Sequence, residues 1–382
     1  MNNLRIAWLV PVAWFYWQPT LSEFSKLFPN TKIYTALFPG YSKGYEDSLD
    51  LEMVGKFKVL GGNQNSAIPQ YGSSFTSLSP KIIFRLLQYR PQLIFTNSFG
   101  IWTILALMFK FIGRWRVAIA YEGSSPGVDF CHSPWRLWLR KIMVKQADAY
   151  ITNSQTGKAY LTKVLAAEPH KVFAQPYEIP AAFSLLDNSV TKPPALKLSQ
   201  KPVFLFVGRI VSRKGLHLLV EACSLLKQQG YQNYTLLIVG EGEQRPELEA
   251  FCQQLNLTNC VKWVGKVDYQ DISNYFQAAD VFILPTFEDT WGVVILEAML
   301  FGKTILCSQG AGSSELVIDG QNGYVFDPQD KSVLARLMAN LIDNSDLLPA
   351  MGQASREQIA QHTPEIAAKQ LATVVQSMQP IS

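Results

Sequence analysis

Three segments hold residues able to do chemistry on a phosphate-bearing ligand. In the first, Phe206-Val207-Gly208-Arg209-Ile210-Val211-Ser212-Arg213-Lys214-Gly215, an apolar run ends and an amphipathic pattern follows. Gly208 permits a sharp turn and close backbone approach. Arg209 and Lys214 flank that turn with fixed positive charge: a guanidinium grips a diphosphate through paired hydrogen bonds, and an ammonium acts as a point charge. On spacing alone, a surface loop with solvated charges reads equally well. In the second segment, 285–299, Glu288 and Asp289 precede an apolar stretch that contains Glu297. Thr290 is placed to cap the helix that this stretch predicts, leaving the amides of Gly292, Val293 and Val294 as an anion site. Glu297 lies about one turn further on, where its carboxylate could accept hydrogen bonds from a ribose diol. Its neighbours are nearly all apolar, so a carboxylate there needs a partner or a ligand. The third, Gly310-Ala311-Gly312-Ser313-Ser314-Glu315, has glycines suited to close approach but is a weak signal alone.

The surrounding pattern predicts the elements that must position these residues. Apolar runs read as strands at 5–10, 32–37, 92–96, 116–121 and 149–152, and again at 203–207, 235–239, 261–264, 281–284 and 304–308. Helical patterns lie between them, including 134–147, 216–229, 246–255 and 293–301. Buried, continuously apolar strands alternating with helices imply parallel sheets covered on both faces. Residues 185–201, with Pro193 and Pro194 and no periodicity, read as a linker. The expected organisation is an N-terminal α/β domain at 1–184, the linker at 185–201, and a second α/β domain at 202–360. Residues 361–382 read as a C-terminal helix that could pack back on the first domain. Thr363-Pro364 opens that helix as cap and first-turn proline, and Ala367, Leu371, Val374, Val375 and Met378 form its apolar stripe. Parallel sheets bind ligands beyond the carboxyl ends of their strands, and two such domains facing a cleft suit group transfer between two ligands.

Composition narrows the class. The 382 residues are 48% hydrophobic and 17% charged, which excludes a disordered chain. Residues 1–180 carry 19 basic and 10 acidic side chains, and the remainder 15 and 20, so the two halves suit different partners. Five cysteines without a CxxC pair, and only four histidines, argue against a disulfide framework or a zinc site. The apolar N-terminus carries Pro11 and reads as a buried first strand rather than a signal peptide. The expected location is cytoplasmic.

Together, in this order, the three segments resemble the donor-binding domain of retaining glycosyltransferases of family 4, which have the two-domain GT-B fold. Leu237-Ile238-Val239-Gly240-Glu241-Gly242 and Trp263-Val264-Gly265 fit the same pattern over about residues 200–330. The resemblance implies an α/β GT-B architecture of two Rossmann-like domains, acceptor-binding at 1–184 and donor-binding at 202–360, and transfer of a glycosyl group from a nucleotide-diphosphate sugar with retention of configuration. It implies that Arg209 and Lys214 bind the donor diphosphate, Glu297 the ribose, and Val264 and Gly265 the base. Asp289 stands where the family has a Glu near the donor sugar, with Glu288 adjacent, which leaves open which acid faces the sugar. Arg209, Lys214 and Asp289 are thus the catalytic candidates. With no Asp-x-Asp motif in the chain, no essential metal and no cofactor are expected.

Where family members carry a Gly-Gly loop after the first strand, this chain has Pro11-Val12-Ala13-Trp14-Phe15-Tyr16-Trp17. Trp14 and Tyr16 could stack on a carbohydrate or lipid-linked acceptor, or simply plug the core. Glu122, at a strand's carboxyl end, is a further acceptor-side candidate. In the helix at 134–147, Trp135, Trp138, Leu139, Ile142 and Met143 fall on one half and are expected to pack inward. Arg136, Arg140, Lys141 and Lys145 fall on the other, with Leu137 and Val144 between, a pattern that could meet an anionic membrane at its inner face. No nucleic acid is expected as a partner. The rival readings are a nucleotide-sugar epimerase or other enzyme of the same fold, and a non-catalytic sugar-nucleotide binding protein. A nicotinamide oxidoreductase lacks its Gly-x-Gly-x-x-Gly.

Overall fold

The computed structural model describes residues 3–60, 75–180, 185, 186, 198 and 200–379. The linker read at 185–201 therefore lies largely outside the described residues. The chain divides into two units, Met1–Pro180 with His362–Ser382, and Ala181–Gln361.

The first unit holds β1 (Ile6–Leu9), β2 (Thr31–Thr35), β3 (Leu51–Met53), β4 (Lys58–Leu60), β5 (Phe75–Ser77), β6 (Leu93–Asn97), β7 (Arg116–Ala120), β8 (Ala149–Thr152) and β9 (Val172–Ala174). Seven of these form a parallel sheet in the order β3-β2-β1-β6-β7-β8-β9; β4 and β5 pair separately as an antiparallel ribbon. Ile6 pairs with Thr31 on one side and Leu93 on the other. The pleat sends Ile6, Trp8 and Val10 into one hydrophobic layer, and Ala7 and Leu9 into the other. Trp8 stacks on Phe95 at 4.3 Å, filling the first layer. The C-terminal helix, Pro364–Ser377, completes that layer by packing on helix Gln18–Leu27. Thr363 caps it, its hydroxyl accepting from the Ile366 amide at 3.3 Å.

The second unit holds β10 (Val203–Val207), β11 (Thr235–Val239), β12 (Val261–Gly265), β13 (Val281–Leu284), β14 (Thr304–Ser308) and β15 (Gly323–Phe326). Its all-parallel order is β12-β11-β10-β13-β14-β15. The strand order reverses between β1 and β6 in one unit, and between β10 and β13 in the other. At such switch points two neighbouring strand ends send their loops apart and open a crevice.

Helix Pro134–Gln146 corrects the expected faces. Arg140 is 7% exposed, whereas Trp135 and Trp138 are 54% and 66% exposed. The inward stripe is Arg140, Met143 and Val144, with Leu137 and Leu139 half-buried against the core. Four rings from elsewhere in the chain draw the guanidinium inside. The helical wheel alone carries no trace of them.

Candidate functional site

The loops that follow β10 and β13 lie side by side at the second unit's switch point, and hydrogen bonds join them. The Phe287 amide donates to the Arg213 carbonyl at 2.8 Å, and the Thr286 hydroxyl lies 2.9 Å from the carbonyl oxygens of both Arg213 and Glu288, between which its one proton is shared. Arg213 Nη1 reaches the Glu288 carbonyl at 3.1 Å. This places Arg209, Lys214 and Asp289 in one site. Lys214 is buried and ion-paired with the Asp289 carboxylate. Arg209 is half-buried, with no hydrogen-bond or ion-pair partner among the described residues. Burial and the neighbouring Arg213 guanidinium lower its pKa. Three cations, Arg209, Arg213 and Lys214, thus gather at the crevice, with Asp289 paired to Lys214, Glu288 next in the chain and Glu243 acting on Arg209. Arg213 is a member that motif reading passed over, although it stands next to Lys214 in the same segment.

Helix Val293–Leu300 begins at this crevice. Its N-cap is Gly292 in the left-handed region, φ 86°, not Thr290, which is buried without capping the helix. A positive φ is what glycine tolerates and threonine does not. The first amides of a helix have no intrahelical acceptors, so Val293 and Val294 still present theirs at the positive end. Glu297 is buried one turn on, and the Tyr269 hydroxyl donates to it at 2.8 Å. Burial pushes its pKa up to about 7, with Tyr269 pulling the other way. Tyr269 is the second member missing from the sequence reading; it arrives from a short 3-10 turn with no spacing signal.

The third segment braces the second. The Asp289 amide donates to the Gly310 carbonyl at 2.8 Å, the Gly312 amide to the Asp289 carbonyl at 3.1 Å, and the Ser313 amide to the Trp291 carbonyl at 2.7 Å. A Cβ on Gly310 would fall inside van der Waals contact with the carbonyl oxygens of Thr286 and Phe287. Gly208 and Gly265 lie at the ends of β10 and β12, on either side of the end of β11: the Gly208 amide donates to the Val239 carbonyl at 3.0 Å, and the Gly240 amide to the Gly265 carbonyl at 2.8 Å. Val264 lies half-buried beside them.

In the first unit the loops after β1 and β6 border a cavity of about 500 Å³. Trp14, Tyr16 and Glu122 all line it, as do Arg136 and Arg140. The Glu122 carboxylate accepts from Asn97 Nδ2 at 3.1 Å. No helix among the described residues is long and apolar enough to cross a membrane.

Residues 189–358 match the family model described as Glycosyl transferases group 1. That stretch, somewhat under half of the chain, is similar to the group 1 glycosyl transferases. The amylovoran biosynthesis glycosyltransferase AmsK of Erwinia amylovora is 30% identical over 188 residues, 47% of this chain and 46% of that protein. A D-inositol 3-phosphate glycosyltransferase of Streptomyces scabiei is 26% identical over 223 residues, 56% of this chain and 50% of that protein. The matched stretches span about half the length of these relatives. Among solved structures, Anabaena HepE in complex with UDP superposes with a TM-score of 0.75 at 16% identity, covering 98% of this chain and 100% of that one. Sucrose-phosphate synthase of Thermosynechococcus elongatus gives 0.68 at 20%, covering 98% and 99%. At these identities the likeness is one of fold: two Rossmann-like parallel-sheet units, the GT-B arrangement. The matched stretch contains Arg209, Arg213, Lys214, Tyr269, Asp289 and Glu297.

Proposed function

We propose that the chain is a retaining glycosyltransferase that moves a sugar from a nucleotide-diphosphate sugar to an acceptor hydroxyl in polysaccharide or glycolipid assembly. The observation that carries this reading is the gathering of Arg209, Arg213 and Lys214 at the β10–β13 crevice, set beside the opening of helix Val293–Leu300 and the buried Glu297. When the glycosyl bond breaks, the leaving nucleoside diphosphate gains negative charge. Arg209 and Lys214, with the first helix amides, stabilise it from fixed positions. Glu297 accepts the ribose hydroxyls. Asp289, held beside Lys214, faces the donor sugar and steadies the positive charge that grows at its anomeric carbon. Gly208, Val264 and Gly265 leave room for the nucleotide against the strand ends. The protein supplies the countercharge itself, so turnover needs no divalent metal. HepE structures hold UDP and UDP-glucose, which makes a uridine nucleotide sugar the first donor to try.

We further infer contact with an anionic membrane from the cytoplasmic side. Trp138 is 66% exposed on a helix that also exposes Lys141 and Lys145. Lys110 donates to the Gln146 carbonyl at 2.7 Å, bringing the exposed Phe111 and Ile112 beside the end of that helix. Aromatic wedges rimmed by lysines suit an interfacial position.

A thermal-shift panel of nucleotide sugars tests the donor reading. A UDP-sugar is expected to raise Tm in the wild type and not in Arg209→Ala. No response to any nucleotide sugar contradicts it.

A further inference from the structure

The cavity of the first unit contains a charge that the transfer chemistry above does not use. Arg140 is nine-tenths buried and lines the cavity wall. Its guanidinium carbon lies 4.9 Å from the ring centres of Phe99 and Phe130, and 5.9 Å from those of Tyr121 and Tyr160. Its two hydrogen bonds, to the Asp129 carbonyl at 3.2 Å and the Tyr160 hydroxyl at 2.8 Å, both leave from Nη1. Nε and Nη2 have no protein acceptor among the described residues. Among the described residues no carboxylate pairs with it directly: the Asp129 carboxylate, whose charge acts on Arg140 from nearby, is hydrogen-bonded by the hydroxyls of Tyr121 and Ser124. Ring faces attract a cation but do not replace a carboxylate or phosphate oxygen as acceptor. A buried guanidinium whose donors lack acceptors is costly unless a ligand supplies them.

The rest of the wall is apolar or aromatic, with Trp14, Phe99, Ile104, Leu139 and Met143 among its members. Glu122 lines the same cavity, and its carboxylate would repel a bare anion. A ligand that satisfies all three features offers a hydroxyl to Glu122, an anionic oxygen to Arg140 and an aliphatic chain to the rings. We propose that this cavity is the acceptor site for a phosphorylated amphiphile: a hydroxyl-bearing group joined through phosphate or diphosphate to an apolar chain. The word acceptor rests on the transferase reading; the binding chemistry does not. Arg140 meets the phosphate, and Trp14 and Trp135 hold the chain at the cavity's exposed edge.

Isothermal titration of the full chain with geranyl diphosphate, geraniol and inorganic pyrophosphate tests this. The three probes separate the amphiphile from its apolar and anionic parts. Geranyl diphosphate is expected to bind at least ~10-fold more tightly than either fragment, the scale of one charge-assisted contact added to apolar burial. In Arg140→Gln the preference over geraniol should shrink to within about threefold. Trp14→Ala, at a side chain 39% exposed and so compatible with folding, should weaken geranyl diphosphate and geraniol alike. Equal binding of geraniol and geranyl diphosphate by the wild type overturns the proposal. So does pyrophosphate binding as tightly as geranyl diphosphate, an unchanged preference in Arg140→Gln, or no effect of Trp14→Ala. UDP titrated into the same samples reports the donor side separately, so its failure to bind would count against the transferase reading and leave this one standing.

Discussion

Glu297 is a carboxyl group held where its ionised form is disfavoured. In the fold it titrates near pH 7, against an ordinary value of 4.5. A group that keeps its proton in the fold and sheds it in the unfolded chain makes stability fall as pH rises, here from about 4.5 to about 7. Glu297→Gln should therefore flatten the stability profile across that window and be the more stable protein at pH 8, as read by urea denaturation. Ribose hydroxyls donate to the ionised form, so nucleotide binding and deprotonation are linked. UDP-glucose affinity should rise several-fold from pH 6 to pH 8, about one decade at most per pKa unit crossed. Glu297→Gln should bind weakly with no such slope; a wild type with a flat profile would remove Glu297 from the ribose. Lys214 presents the opposite case. Removing it strands the buried Asp289 carboxylate, so Lys214→Ala should lose about 3 kcal/mol of stability. The pair Lys214→Met with Asp289→Asn should regain most of it in the same denaturation experiment. Neither Tyr269 nor the Lys214–Asp289 pairing was legible in the sequence, because both depend on which loops the sheet order brings together.

The donor site depends on three loops, and the sequence singled out the weakest of them for the least convincing reason. Gly310-Ala311-Gly312 read as glycines suited to close approach, a weak signal alone, and in the fold they let two backbones touch. Gly310→Ala should push the Thr286–Asp289 backbone away and cost about 1–3 kcal/mol, the usual scale of overpacking. Denaturation midpoint and UDP affinity should fall together, and loss of neither would mean the loop is not a brace. Strand positions were the readable part, since β10 to β14 are runs of buried apolar residues with polar loops at their carboxyl ends. Helix Pro134–Gln146 was readable as a helix but not as to its faces. Trp, Leu and Arg are all amphipathic enough to sit on either side of a wheel. Its exposed Trp138, Lys141 and Lys145 predict salt-sensitive co-sedimentation with anionic vesicles but not with neutral ones. Changing those three to Ser, Gln and Gln while sparing Arg140 should abolish it. Equal, negligible sedimentation with both vesicle types at low salt discards the membrane contact.

At the scale of the molecule, alternating apolar strands and helices were enough to read two parallel α/β units, because each strand must be buried on both faces. The return of the last helix to the first unit was hinted at only by the apolar stripe from Ala367 to Met378. Such a stripe requires a surface to pack on but does not say which. The opposite charge balance of the two halves follows the same division: cations and exposed aromatics gather on the first unit. In the second, a small cationic cluster stands out in an acidic surround. On the proposed reaction that cluster is the countercharge for a leaving diphosphate, so transferase activity should survive EDTA, and activity lost to EDTA and restored by Mg²⁺ or Mn²⁺ would contradict the proposal. The most direct test is release of UDP from UDP-glucose by the wild type, Arg209→Ala and the Lys214→Met/Asp289→Asn pair, with circular dichroism confirming that all three are folded. Arg209→Ala should lower kcat ~10²-fold or more, as removal of a transition-state donor does, and the double variant should fall as far. Folded variants that release UDP at the wild-type rate would show that the charge at the β10–β13 crevice has no part in the reaction.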